Sequence, residues 1–242
     1  MIVTKNNRKL EKIMAFLSLI VFSAGLIYSI YFIAIWQIDS NKTSKQIIAL
    51  EKTVKKSKID FEKLKKINPD TKGWLQVIGT DINYPFVQSA DNQFYLSHSF
   101  DKTNNQAGWI FMDYRNNANI FDQNTIIYAH GRVDGTMFGT MKNVLNYKWY
   151  SQSANHIIKL DTEKKETKWK VFSIYSITTT DDYIKTTFAN TVEYMTFLDL
   201  ITNRSIYKFK VDVGKNDKIL TLSTCYNKTE KIVLHAKLIL NE

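Results

Sequence analysis

No charged side chain interrupts residues 13–36, and an apolar run of that length has few ways to fold. About twenty apolar residues in a helix cross the ~30 Å hydrocarbon core of a bilayer. Lipid offers no partner to unpaired backbone groups, which restricts a lone spanning segment to a helix. Ser18, Ser23, Gly25 and Ser29 are compatible with such a helix, and the amphipathic rings of Tyr28, Tyr31 and Trp36 suit its outer half. Lys5, Arg8, Lys9 and Lys12 crowd the N-terminal flank against Glu11, a bias that keeps this flank cytoplasmic. A cleaved signal peptide, the rival reading, needs an apolar core of about 7–15 residues and a small-residue cleavage site. Here the core is longer, and Ala34-Ile35-Trp36-Gln37 fits such a site poorly. The organisation expected is a cytoplasmic N-terminus (1–12), a single-pass anchor in the cell membrane (13–36), a helical stalk with N-terminal helices (37–68) and an extracellular domain (69–242).

The stalk is lysine-rich, with Ile47, Leu50 and Val54 on one helical stripe and Phe61 and Leu64 on the next. Beyond it come short β-rich runs at 74–78, 108–112, 125–129, 156–160, 169–177, 207–211, 219–224 and 232–240. Many short strands between turn signals predict a closed barrel or a sandwich. A single cysteine excludes an intramolecular disulfide and leaves its thiol for chemistry. The net charge of +10 is carried by lysines without a nucleic-acid recognition motif, so no nucleic-acid partner is expected. An anionic membrane face, wall polymers or plain solvation account for it. Four dispersed histidines and one cysteine show no metal-ligand spacing, and no cofactor is expected.

Alternation along residues 218–225 predicts a strand with Thr221, Ser223 and Cys225 on one face and Leu220 and Leu222 on the other. Cys225 thus ends a polar face before the loop 226–230, a setting for a reactive thiol if a partner lies near. His130 ends the β-rich run 124–130 and precedes Gly131 and a glycine-punctuated loop, where an imidazole can lean over a cleft. His235 alternates within 232–238 and reads as a barrel residue; His156 opens the run 156–160, and His98 falls in a loop.

Tyr128-Ala129-His130-Gly131, then Asp134-Gly135-Thr136-Met137-Phe138-Gly139, then Thr221-Leu222-Ser223-Thr224-Cys225 resemble the sortases, cysteine transpeptidases of Gram-positive bacteria. The segments 68–75, 79–88, 91–96 and 107–116 extend the likeness over roughly residues 67–240. An insertion at 178–207, with helical apolar spacing over 191–201, is similar to that of class B sortases. The resemblance implies a mainly β fold: an eight-stranded β-barrel with added helices. It implies that Cys225 attacks a sorting signal of a secreted protein, similar to Asn-Pro-x-Thr-x or Leu-Pro-x-Thr-Gly, while His130 serves as acid and base. An amine of a peptidoglycan precursor or of a pilin would resolve the thioacyl enzyme, and Ser223 and Thr224 would shape the peptide groove.

One family feature is missing. The arginine that sortases carry after the cysteine has no counterpart, because Arg8, Arg115, Arg132 and Arg204 all precede Cys225. Lys231 stands at that place, immediately before Ile232-Val233-Leu234, and supplies charge without the planar fork. Lys231 takes the role, or Arg132 or Arg204 reaches in from a loop, or the domain turns over slowly or not at all. A cysteine protease releasing product to water and a non-catalytic surface-binding domain are the alternative readings.

Overall fold

The computed structural model describes residues 3–55, 58–178, 180–225 and 230–239. Helix α1 runs unbroken over Val3–Glu51, as residues 37–51 contain neither glycine nor proline. The stretch Lys9–Glu51 is long and apolar enough to cross a membrane, and its large apolar side chains from Leu10 to Ile38 are exposed, apart from the half-buried Ile35. The end of α1 belongs to the compact unit Thr43–Glu242. There Thr43 and Leu50 are buried, and Asn105 Nδ2 donates to Thr43 Oγ1 at 3.0 Å. Val54, expected on the helical stripe, instead pairs with Ile59 in a two-residue bridge. Helix α2, Phe61–Ile67, starts where the Asp60 carboxylate accepts from the Lys63 N–H at 3.0 Å, and it buries Leu64.

Eight strands follow: β1 Thr71–Val77, β2 Asn83–Val87, β3 Phe111–Met112, β4 Asn124–His130, β5 Ile157–Thr162, β6 Glu166–Thr178, β7 Ile219–Cys225 and β8 Glu230–Ile239. They close into a barrel in the order β8-β6-β5-β1-β2-β3-β4-β7. Neighbours are antiparallel except β2–β3 and β4–β7, which are parallel. Although only Phe111–Met112 of 108–112 is strand and residue 240 lies outside the described residues, every expected run meets a strand except 207–211. Lys210 there has φ 53°, which ends an extended run. The Tyr207 ring stacks at 4.2 Å on Tyr150 of the single-turn helix α3, Tyr147–Tyr150. The vacant place in the barrel goes to β2, whose Pro85 lacks a ladder donor and so weakens the strand signal.

Leu75, Phe86, Ile127, Leu220 and Leu222 fill the barrel. A second apolar cluster lies outside it. Helix α4, Thr191–Asn203, is capped by the Asn190 side chain, which accepts from the Glu193 N–H. It lays Tyr194, Phe197, Leu198 and Ile201 over Phe172 and Tyr175 of β6 and Val233 of β8. The insertion therefore roofs the outer face of β6, β8 and β7. Beneath it the polar side chains Thr221 and Ser223 of β7 are both buried.

Beneath this roof the polar groups satisfy one another. Asn124 Nδ2 donates to the Lys185 carbonyl, so its Oδ1 faces Thr221 and accepts from Oγ1 at 2.7 Å. With its hydrogen spent, Thr221 Oγ1 accepts from His235 Nδ1 at 2.9 Å, and His235 Nε2 accepts from the Tyr175 hydroxyl at 2.9 Å. The network fixes His235 as a neutral tautomer. Burial, aided by the charge of Arg204, pushes its pKa down to about 3. An unfolded histidine titrates near 6.5. Between these values the unfolded chain binds a proton that the folded one refuses, so stability present above about pH 6.5 is lost as the pH falls. His235→Gln is expected to flatten the dependence of the melting temperature on pH between about 6.5 and 4. An unchanged slope would place the acid sensitivity elsewhere.

Candidate active site

Strands β4, β7 and β8 are neighbours, and their register sets three residues in one row. His130 is the Cα partner of Cys225 across the parallel pair, and Cys225 is the Cα partner of Lys231 across the antiparallel pair. Adjacent strands run about 4.8 Å apart. The Cys225 side chain and the loop 226–229 lie outside the described residues, so its expected setting as a reactive thiol rests on this backbone position. The other four expected site residues, His130, Lys231, Ser223 and Thr224, line a single cleft of about 520 Å³. Asn92, Leu96, Tyr128, Asp181 and Ile184 contribute to its walls.

The His130 ring is half-buried, with Nε2 at 2.8 Å from the Leu96 carbonyl oxygen. A carbonyl only accepts, so Nε2 carries the hydrogen and Nδ1 is left for proton exchange. This contact depends on Gly108, which has φ +63°. A Cβ there would lie 2.6 Å from the Tyr95 carbonyl oxygen and 3.0 Å from both the Leu96 oxygen and His130 Cδ2. Glycine alone meets both the backbone and the space requirement. The sequence showed Gly108 only as part of a matched segment and drew attention to Gly131 instead.

Lys231 has a side chain only 17% exposed, with Nζ at 3.3 Å from Asp181 Oδ1 and 5.7 Å from the Tyr183 ring centroid. Burial disfavours its charge, but Tyr183 and Asp181 together hold its pKa above the ordinary lysine value. Tyr183 also shares a 2.8 Å hydrogen bond with Ser223 Oγ. The rival cations are engaged elsewhere. Arg132 pairs with Asp134 at 2.6 Å within its own loop, and Arg204 pairs with Asp182 at 2.5 Å. Neither lines the cleft, whereas Lys231 does.

One residue that sequence reasoning missed supports two walls of the cleft. Asp113 is the only carboxylate buried among the described residues. It accepts from Arg115 Nε at 2.9 Å and Nη2 at 2.7 Å, from Asn92 Nδ2 at 3.0 Å and from the Tyr128 hydroxyl at 2.9 Å. Burial opposes its charge, yet the Arg115 contacts outweigh that and hold its pKa below the usual carboxylate value. His98 and His156 stay outside the cleft, bonded to the carbonyls of Phe94 and Tyr150. His156 ends the 3₁₀ turn Ser153–His156 rather than opening β5.

A family model described as the sortase domain matches residues 75–239. Sortase B of Staphylococcus aureus (strain NCTC 8325 / PS 47) is 40% identical over 183 residues, 74% of each chain. Sortase B of Listeria monocytogenes serovar 1/2a is 35% identical over 184 residues, again 74% of each chain. The crystal structure of a Bacillus anthracis protein similar to sortase B matches with a TM-score of 0.76 and 36% identity, covering 84% of this chain and 98% of that one. With the closed eight-stranded barrel and the helical insertion ahead of β7, these matches establish that the chain belongs to the sortase family of cysteine transpeptidases, in its class B.

Proposed function

We propose that this chain cleaves the sorting signal of secreted proteins through a thioacyl intermediate on Cys225 and joins them to an amine of peptidoglycan or of a pilin. The observation that carries this reading is the row His130–Cys225–Lys231 across three adjacent strands. A free thiol titrates near 8.5 and a free imidazole near 6.5; side by side they favour the thiolate–imidazolium pair. The Cys225 thiolate attacks the scissile carbonyl carbon, and the resulting oxyanion is stabilised by the Lys231 ammonium and nearby backbone N–H groups. His130 Nδ1–H then gives its proton to the departing amine, leaving a thioester. The acceptor amine attacks that carbonyl, loses its proton to His130 and expels the thiolate. Ser223 and Thr224 shape the floor on which the peptide lies. Residues 13–36 anchor the enzyme, and the basic flank 5–12 keeps the N-terminus cytoplasmic and the domain 69–242 outside.

Full-length protein in detergent micelles, given an Asn-Pro-x-Thr peptide with and without triglycine, tests this by product mass. Peptide joined to triglycine, with a thioacyl adduct that disappears in Cys225→Ala, is the expected result. Hydrolysed peptide alone in the presence of excess amine would make the protein a protease and overturn the transfer step.

A further inference from the structure

At the barrel end remote from the catalytic row, lysines face each other across the sheet. Lys170 of β6 is the direct partner of Lys237 of β8, and Lys159 of β5 is the direct partner of Lys168 of β6. The two-residue period puts Lys168 and Lys170 on one face of β6, so all four lysines share one patch across three neighbouring strands. Like charges directly opposite destabilise a sheet, and here the fold carries two such pairs side by side.

The patch borders a cleft of about 1170 Å³ with Lys210, Lys218 and Lys165 on its rim and Val211 and Leu238 in its wall. Among the described residues, Glu166, Asp212 and Asp217 are the carboxylates in the lining, fewer than its five lysines. Asp217 is paired with Lys237 at 2.9 Å, and the Lys218 ammonium donates to the Ile120 and Phe121 carbonyls. Among the described residues, Lys159, Lys168, Lys170 and Lys210 form no ion pair. Lys237 pairs with Ile219 while Lys231 pairs with Cys225, so the length of β7, about 20 Å, separates this cleft from the catalytic row.

Lys159 and Lys168, facing each other beside the groove, and Lys170 and Lys210 in its lining are point charges for successive phosphates, while the Lys237 ammonium is held by Asp217 and the Asp212 carbonyl. A concave groove admits a chain and excludes a planar bilayer. Among the described residues Phe121 is the only aromatic one in the lining and is 2% exposed, so it presents no ring for a nucleobase to stack on. We propose that this groove binds a linear, base-free phosphodiester polymer, such as a polyol phosphate, at a site separate from the catalytic cleft.

The test uses the full chain in phosphatidylcholine nanodiscs and a fluorescent poly(glycerol phosphate) oligomer, read by anisotropy at two salt concentrations. Binding is expected to weaken steeply with salt, and to weaken at least tenfold in Lys159→Gln/Lys168→Gln/Lys170→Gln/Lys210→Gln. Peptide cleavage and melting temperature should hold in that variant, since it removes like-charge pairs. Equal affinity in the variant, or a lower melting temperature, would overturn the proposal. So would tighter lysine-dependent binding to phosphatidylglycerol vesicles or to a single-stranded oligonucleotide of equal phosphate number, which would make the patch a membrane or nucleic-acid surface.

Discussion

His130→Ala is expected to lower the turnover of a sorting-signal peptide by at least about 10²–10⁴-fold, the contribution of general acid–base help alone. Two losses combine in this variant. The departing amine has no proton donor, and Cys225 loses the neighbouring imidazolium that favours its thiolate. In the proposed mechanism the donor is Nδ1, because the Leu96 carbonyl at 2.8 Å occupies Nε2. His130 is half-buried at the end of β4 and fills no core position, so the melting temperature should change little. Steady-state cleavage, together with the pH profile of Cys225 alkylation by iodoacetamide, checks both parts. The variant's profile should move toward that of an ordinary thiol, near 8.5. Turnover within tenfold of wild type, with an unmoved alkylation profile, would remove His130 from the mechanism.

The barrel was legible wherever one face of a strand is apolar and the other polar, as in β7, where Leu220 and Leu222 alternate with Thr221 and Ser223. It was illegible where a local conformation overrides propensity. Residues 207–211 have the composition of a strand, but Lys210 in the left-handed region breaks the run. Strand β2 contains Pro85, and its pairing with β1 becomes visible only in the sheet. Alternation also cannot say what covers a face. It marks a polar side of β7, but that α4 lies over its neighbours and that Thr221 bonds to Asn124 and His235 comes only from the fold. At the site, His130 and Cys225 stood out through their local motifs. Gly108 and Asp113 did not, because their importance lies in contacts with residues distant in sequence, Tyr95 and Leu96 for one and Asn92 and Tyr128 for the other.

Lys231→Ala is expected to slow acylation by about 10²–10³-fold, the effect of removing one oxyanion donor, or about 2.7–4 kcal/mol in the barrier. The residue sits in register with Cys225 and borders the cleft, while Arg132 and Arg204 are paired with Asp134 and Asp182 and are not among its lining residues. Its ammonium is only loosely held in the resting state: Asp181 lies at 3.3 Å and is itself 83% exposed. A solvent-screened pair of this kind contributes at most about 1 kcal/mol. The ammonium can therefore leave Asp181 for an oxyanion at small cost, and Tyr183 beneath it keeps it charged. Lys231→Arg should preserve or raise the rate, because a guanidinium offers two parallel donors where the ammonium offers one point charge. Single-turnover formation of the thioacyl adduct, followed by mass, isolates this step from its resolution by the amine. If Lys231→Ala acylates like wild type while Arg132→Ala or Arg204→Ala is crippled, the charge comes from a loop and not from β8. If wild type and all three variants share a negligible rate, the loss of the family's arginine has cost the domain its transpeptidase activity.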